Sequence, residues 1–467
     1  MIVTEGEKAY RQGTRALVLA VAIFLLWLVL FCLVPVLIVP AIWVCFVMSA
    51  TTIGRYVLLS VVSRFDRRPT DPPVEAPVRT PSIAFIIPCL NELPSLRNTV
   101  PAMTSLTSDA DVFFLYVCES ASTDGTPAYL AEQAERDGRI MLLVKAGPPA
   151  GRGSAVKYGV AHLPPCDLVG FLDADYMMDQ TSFDRLLAVM GHEDSPAVLQ
   201  GASEAANETS GVLPRLLSLE RRWMDLMELK VNPKLGGMCY IAAGQGFFQR
   251  RILDDPRFVI DESSLVDDID LSCELALGGQ KVVYDPGVVS RCMEVTSPGG
   301  YLAQRRRWMR GWVQVSRKYL GRSLRVPGLP GMLRYDLVRF LLKPYRLALL
   351  FVTLPAFIAL FTVGNVDTTT LVLFIWVVAA LPVAGVLPVV AGACRPRPKE
   401  ILLSLVGVPA LLLIYLGFFA VAVLEEHVLR TVPHYSKTEK ADWDRFASPA
   451  HAEDQEKPED ASIEGHS

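Results

Sequence analysis

The stretch DLVGFLDAD, residues 167–175, decides the fold. Its first six residues form a near-continuous apolar run, which is how a strand covered on both faces of a parallel sheet reads, and the run ends on two carboxylates, Asp173 and Asp175. Working outward, the same form recurs in SIAFIIP at 82–88, DVFFLYVC at 111–118 and the shorter MLLV at 141–144. Helical stretches lie between these runs at 92–106, 126–136 and 154–161. Strand alternating with helix predicts an α/β domain with an open, mostly parallel, Rossmann-like sheet, in which ligands gather at the carboxyl ends of the strands. The polar residues just past those ends are the first candidates: Asn91 and Glu92, Glu119 and Asp124, Asp173 and Asp175.

Asp-x-Asp is a weak signal by itself, because the chain holds four: Asp109 with Asp111, Asp173 with Asp175, Asp268 with Asp270, and Asp442 with Asp444. Context separates them. Only the second pair follows directly on an apolar strand, which projects its carboxylates from a rigid edge at the expected ligand face. Hard cations such as Mg2+ or Mn2+ take few carboxylates and fill their remaining positions with phosphate oxygens and water, so Asp173 and Asp175 are the expected metal ligands. Nine cysteines are scattered singly, with no metal-ligand spacing, and read as small buried hydrophobes.

Further on, residues 265–286 (LVDDIDLSCELALGGQKVVYDP) read as a helix with carboxylates in its first turn and Gly278-Gly279 as its stop, followed by a strand. Acidic residues there suit the helix dipole, and the region lacks histidine, so one of them is also a candidate proton acceptor for a hydroxyl. Residues 304–312 (QRRRWMRGW) pack four arginines and two tryptophans into nine positions. That composition suits the headgroup region of a bilayer, and it equally suits a diphosphate and a sugar face.

The flanks are membrane-like. Of the 467 residues, 51% are apolar, mean hydropathy is +0.33, and 45 basic residues against 49 acidic ones argue against a nucleic-acid partner. No charge interrupts residues 16–54, which as one helix would be about 58 Å long, roughly twice the hydrocarbon thickness. Two helices turning at Pro35 and Pro40 are expected instead, with Lys8, Arg11, Arg15 before them and Arg55, Arg64, Arg67, Arg68 after them marking the cytoplasmic side. Three more apolar stretches follow at about 347–363, 371–394 and 401–424. The expected order is a cytoplasmic start (1–15), a membrane hairpin (16–54), a basic, proline-rich linker (55–81), a cytoplasmic working domain (82–298), interfacial helices (299–345), a membrane block of about three helices (346–424) and a polar, partly disordered tail (425–467). Counting crossings from a cytoplasmic middle puts that tail outside, whereas its Arg430, Lys437 and Lys440 weigh the other way.

Taken in order, these features resemble the membrane-bound family 2 glycosyltransferases, the group of cellulose, chitin, hyaluronan and poly-N-acetylglucosamine synthases and ceramide glucosyltransferases. The resemblance covers residues 86–312 and implies a GT-A-type fold acting on a nucleotide-sugar. It implies that Pro88, Asn91 and Glu92 contact the base and ribose, together with Glu119 and Asp124 in a motif that usually reads Asp-Asp-x-Ser-x-Asp. Here Glu119 and Ser120 replace its two leading aspartates. It further implies that Asp173 and Asp175 bind the metal, that Arg152 lies near the phosphates, and that Asp267 and Asp268 form the Glu-Asp signature with Asp268 as general base. Gln304, Arg307 and Trp308 match its Gln-x-x-Arg-Trp over acceptor and pyrophosphate, and Gly244, Gln245 and Gly246 open its acceptor segment.

The implied reaction is a single displacement with inversion, in which a hexose, uridine-linked by expectation, passes to a growing polysaccharide. A membrane lipid is the alternative acceptor. A transporter is disfavoured because the apolar stretches carry no charge.

Overall fold

The computed structural model describes residues 5–65, 79–148, 150–242, 244–363, 367–377 and 398–431. Two long helices come first, α1 (Glu5–Leu33) and α2 (Ile38–Phe65), joined by a short 3-10 turn at Pro35–Leu37. The turn falls where Pro35 removes a backbone donor and the helix cannot continue through it. Helix α2 runs past the 16–54 stretch as far as Phe65, because residues 55–65 pack on the next domain: Arg55 pairs with Glu228 at 2.7 Å and Leu59 is fully buried beside Met227 and Val231. The expected linker therefore begins later, and its residues 66–78 lie outside the described residues.

The middle of the chain alternates as expected: β1 (Ile83–Cys89), α3 (Leu93–Thr104), β2 (Val112–Glu119), α4 (Thr126–Arg136), β3 (Ile140–Lys145), α5 (Arg152–Val160), β4 (Leu168–Leu172), β5 (Met177–Met178), α6 (Gln180–Met190) and β6 (Val198–Ala205). After α7 (Val212–Met224) and a π-helical turn (Asp225–Val231) come β7 (Gln245–Gln249), α8 (Arg250–Leu253), α9 (Asp267–Leu277) and β8 (Val282–Cys292). The eight strands form one sheet in the order β3-β2-β1-β4-β7-β6-β8-β5. Pairs β3-β2, β2-β1, β1-β4 and β6-β8 are parallel, and β7 runs antiparallel to both neighbours. Helices cover both faces, which explains the unbroken apolar runs: Ile86, Val117 and Val169 bury on one side, Phe85, Phe114 and Leu168 on the other.

Two helices then lean on the domain, α10 (Pro298–Arg325) and α11 (Gly331–Leu341), followed by α12 (Lys343–Val363), α13 (Thr368–Val377) and α14 (Pro398–Val423). Among the described residues, four helices are long and apolar enough to cross a membrane: α1, α2, α12 and α14. Part of the apolar stretch at 371–394, and the tail from residue 432, lie outside the described residues.

Candidate active site

Parallel β1, β2 and β4 open their carboxyl ends onto one edge, followed by Asn91, by Ser120, and by Asp173. Because β7 is antiparallel to β4, with Gln245 opposite Leu172, Gly244 arrives beside Asp173. The Asp173 N–H donates to the Gly244 carbonyl at 2.9 Å. Gly244 has a φ of +71, and a Cβ there would stand 2.7 Å from Asp173 Cγ and 3.2 Å from the Tyr176 ring. Glycine is needed for both the backbone and the space.

The two aspartates have different surroundings. Asp173 has a 30% exposed side chain and accepts from Arg152 Nε at 2.6 Å, whereas Asp175 is 3% exposed and accepts from the Met293 N–H at 3.4 Å. Among the described residues no group of three or more His, Cys, Asp or Glu is arranged to hold a metal. Asp173 therefore offers an open carboxylate and Asp175 one enclosed by the fold, which are the oxygen donors a hard divalent cation takes.

Arg152 is the first residue of α5, and its guanidinium reaches two carboxylates: Nε to Asp173 and Nη1 to Asp267 in the first turn of α9. Burial alone would lower its pKa, but Asp267, Asp173 and Asp268 together carry it well above the ordinary arginine value. The neighbouring Asp268 is also shifted upward, which here disfavours its charged form. Burial first, then the charge of Asp267, lifts its carboxyl to about 6, against a smaller opposing pull from Arg152.

Helix α10 lies directly on the residues before α9. Arg307 Nη1 donates to the Leu265 carbonyl at 3.0 Å, and a Cβ on Gly311 would come within 2.8 Å of both Val266 methyls. Trp308 lies beneath the Arg305 guanidinium, 4.4 Å from its ring, and Arg305 is paired with Glu220 at 2.7 Å. Gln304 is buried, and its Oε1 has no hydrogen-bond partner among the described residues.

On the other side of the edge, Asn91 sits at φ +53 and its Oδ1 accepts from the Thr123 N–H at 2.7 Å. The Glu92 N–H donates to Thr126 Oγ1 at 3.0 Å. Asp124 accepts from the backbone N–H groups of Leu93 and Thr126, both at 3.0 Å, so its carboxylate braces the starts of α3 and α4. Glu119 is buried at the end of β2 beside Lys145, 3.3 Å away; burial raises its pKa and Lys145 draws it back. Pro88 lies near the end of β1, opposite Val117.

The fold therefore joins Asp173, Arg152, Asp267, Asp268 and Gly244 in one cluster, with Arg307 held against the loop leading into it. Gln245 and Gly246 lie within the sheet. Gln245 is fully buried, and its Nε2 donates to the Gly201 and Ala202 carbonyls at 3.0 and 2.8 Å and to Ser203 Oγ at 2.8 Å, so it ties β7 to β6. Gly246 lies inside the sheet opposite Phe171, with Ile241 where a Cβ would go.

Other neighbours were not marked by any local pattern. Arg221 donates to the Tyr176 hydroxyl at 3.2 Å and to Glu294 Oε1 at 3.0 Å, supporting the ring that flanks Gly244. In sequence it belongs to ERRW, 220–223, which reads as an ordinary charged helix face.

Residues 81–311 match the model of the family described as glycosyltransferase like family 2. The chain is similar to the probable glycosyltransferase YdaM of Bacillus subtilis, 24% identical over 248 residues that make up 53% of this chain and 59% of that one. It is also similar to the poly-beta-1,6-N-acetyl-D-glucosamine synthase of Staphylococcus aureus, 22% identical over 233 residues, 50% of this chain and 55% of that one. It thus spans little more than half the length of these curated relatives. Among solved structures, the mannosyltransferase PcManGT from Pyrobaculum calidifontis, in complex with GDP-Man and Mn2+, shares the fold with a TM-score of 0.57 at 17% identity, over 83% of this chain and 99% of that one.

Proposed function

From the premise that residues 81–311 are a family 2 glycosyltransferase domain with a GT-A-like fold, and the protein therefore a sugar transferase, we propose that it moves a hexose from a nucleotide-sugar, by expectation a uridine diphosphate sugar, to a growing polysaccharide at the membrane, with inversion. The observation that supports this reading is the single guanidinium of Arg152 spanning Asp173 and Asp267, which would bring a diphosphate held near Asp173 beside the acidic first turn of α9. Asp173 and Asp175 would hold Mg2+ or Mn2+, which when bound supplies positive charge to the donor diphosphate.

The chain's own residues do the rest. Asp268, with a pKa raised to about 6, is ionised at neutral pH yet basic enough to take a proton from an acceptor hydroxyl. Arg152 and Arg307 orient the departing diphosphate with fork-shaped donors, while Asn91, Glu92, Glu119 and Asp124 shape the nucleotide end. Trp308, set by its contact with Arg305, forms an apolar face toward the acceptor.

The test is purified enzyme with a panel of radiolabelled nucleotide-sugars, with and without EDTA, and the products sized. A long polymer whose formation stops on chelation is the expected result. A labelled lipid carrying one sugar would replace the polymer reading with the lipid one, and activity that survives EDTA would remove the metal.

A further inference from the structure

Hydropathy alone ranks α14 with the helices that cross a membrane: within Glu400–Val428 the most apolar 18 residues have a mean hydropathy of 2.5. Its contacts say otherwise. At its start Glu400 lies 3.7 Å from Arg222, at the end of α7. At its end Glu425 pairs with Arg306 at 2.6 Å and Glu426 with Arg310 at 2.8 Å, both on α10. Between these points Gly407 is so close to Leu216 that a Cβ would come within 2.5 Å, and the Tyr415 hydroxyl donates to Glu220. Phe419 then packs on Met309 and Val313.

From Glu400 to Glu425 a helix rises about 38 Å, more than the ~30 Å hydrocarbon layer. A crossing α14 would thus carry its two ends to opposite surfaces. Both ends are bound instead to the transferase domain, through arginines whose side chains are 51% and 42% exposed and need water or headgroups. A single domain cannot stand on both sides of the bilayer.

The other face of α14 is apolar and open. Leu402, Val406 and Leu413 are 64%, 66% and 51% exposed and recur at helical spacing along one stripe, opposite fully buried Ser404. The level of its last turns is set by their neighbours. Val421 packs on Ala16 and Ala20, early in the first apolar helix, and shares its cluster with Phe351, while Phe418 and Val423 share one with Leu347, so the end of α14 meets those helices in the turns nearest the domain.

We propose that α14 does not cross the bilayer but lies in the leaflet facing the transferase domain, with Leu402, Val406 and Leu413 seated among acyl chains and its opposite face clamped onto α7 and α10. The occupant of this surface is lipid. Arg306 and Arg310 anchor it on the face of α10 next to the one that carries Arg307, so the bilayer braces the helix of the Gln-x-x-Arg-Trp motif from behind. The chain accordingly leaves α14 at Thr431 on the domain's side, where Arg310 donates to the Thr431 carbonyl.

The full chain in lipid vesicles provides the test, using a genetically encoded fluorescent amino acid at position 402, 406 or 413, one at a time, and phospholipids brominated at graded chain depths as quenchers. All three probes should be quenched best at the same depth. A steady shift in depth along the three, approaching the ~16 Å rise between residues 402 and 413, would mean a crossing helix and overturn the proposal. Absence of quenching at every position would overturn it as well. In sealed vesicles, a protease should remove a C-terminal tag and a tag inserted at the exposed Gly138 from the same side; removal from opposite sides contradicts the proposal independently of the identity of donor or acceptor.

Discussion

Arg152 donates to Asp173 at 2.6 Å from a helix start, and with its other arm holds Asp267, 115 residues further along the chain. Replacing Arg152 with alanine leaves three carboxylates crowded together without that counter-charge. Since the Arg152 guanidinium draws the Asp268 pKa down, the acid limb of the kcat/KM profile should move to higher pH in Arg152→Ala. Arg152→Lys keeps the charge but not the two-armed geometry, so donor KM should rise while the limb stays nearer the wild-type position. An unmoved limb in the alanine variant would disconnect the two residues.

Asp268→Asn should lower kcat by about 10²- to 10⁴-fold while leaving nucleotide binding by calorimetry intact. The same carboxyl bears on stability. Its pKa is raised from an ordinary 3.8 to about 6, so the folded chain holds the proton more tightly than the unfolded one. That stabilisation is complete below about pH 4 and lost as pH rises through about 6. Asparagine mimics the neutral form at every pH. Its melting temperature relative to wild type should therefore be higher at pH 8 than at pH 4.5, and a constant difference between the variants would contradict the raised pKa.

Gly244→Ala tests the space beside Asp173. A φ of +71 costs an alanine about 1–2 kcal/mol, and the new Cβ would meet the Asp173 carboxyl besides. We expect a folded protein with at least about tenfold weaker Mn2+-dependent nucleotide binding, since 1.4 kcal/mol already equals a factor of ten. Wild-type affinity would show that Asp173 has room to move.

Gln245 and Gln304 should separate cleanly. Gln245→Ala removes three hydrogen bonds between β7 and β6 and should lower the melting temperature by several degrees with little change in donor KM once folded. Gln304→Ala strands no protein donor, because Oε1 has no partner among the described residues, so it should cost little stability and fall mainly on acceptor turnover. Equal thermal losses in both would assign Gln304 to the framework.

Much of the fold was legible in the chain because a parallel sheet covered on both faces demands apolar runs with polar residues at one end. The four opening strands lie within a residue or two of their apolar stretches, as β1 at Ile83–Cys89 against 82–88. Orientation within a strand was harder to read. Gln245 stands in a glycine-rich motif that resembles an acceptor segment, but its direction depends on the register of β7 against β4 and β6, and that pairing is set by distant partners. Lys145, Tyr176 and Arg221 were illegible for a similar reason: each acquires its partner only when separate strands and helices converge.

The sequence by itself determined the aspartate pair at the end of an apolar strand, the candidate base some ninety residues later and the arginine-tryptophan helix after it, because residue type, strand period and chain order are local properties. The tertiary structure decided that Asp173 is open while Asp175 is enclosed, that Arg152 joins Asp173 to Asp267, and that α14 is held at both ends by one domain. Each of these depends on charges and surfaces far apart in the chain, brought within a few ångströms because burying the apolar faces of the sheet and helices fixes where their polar ends must meet.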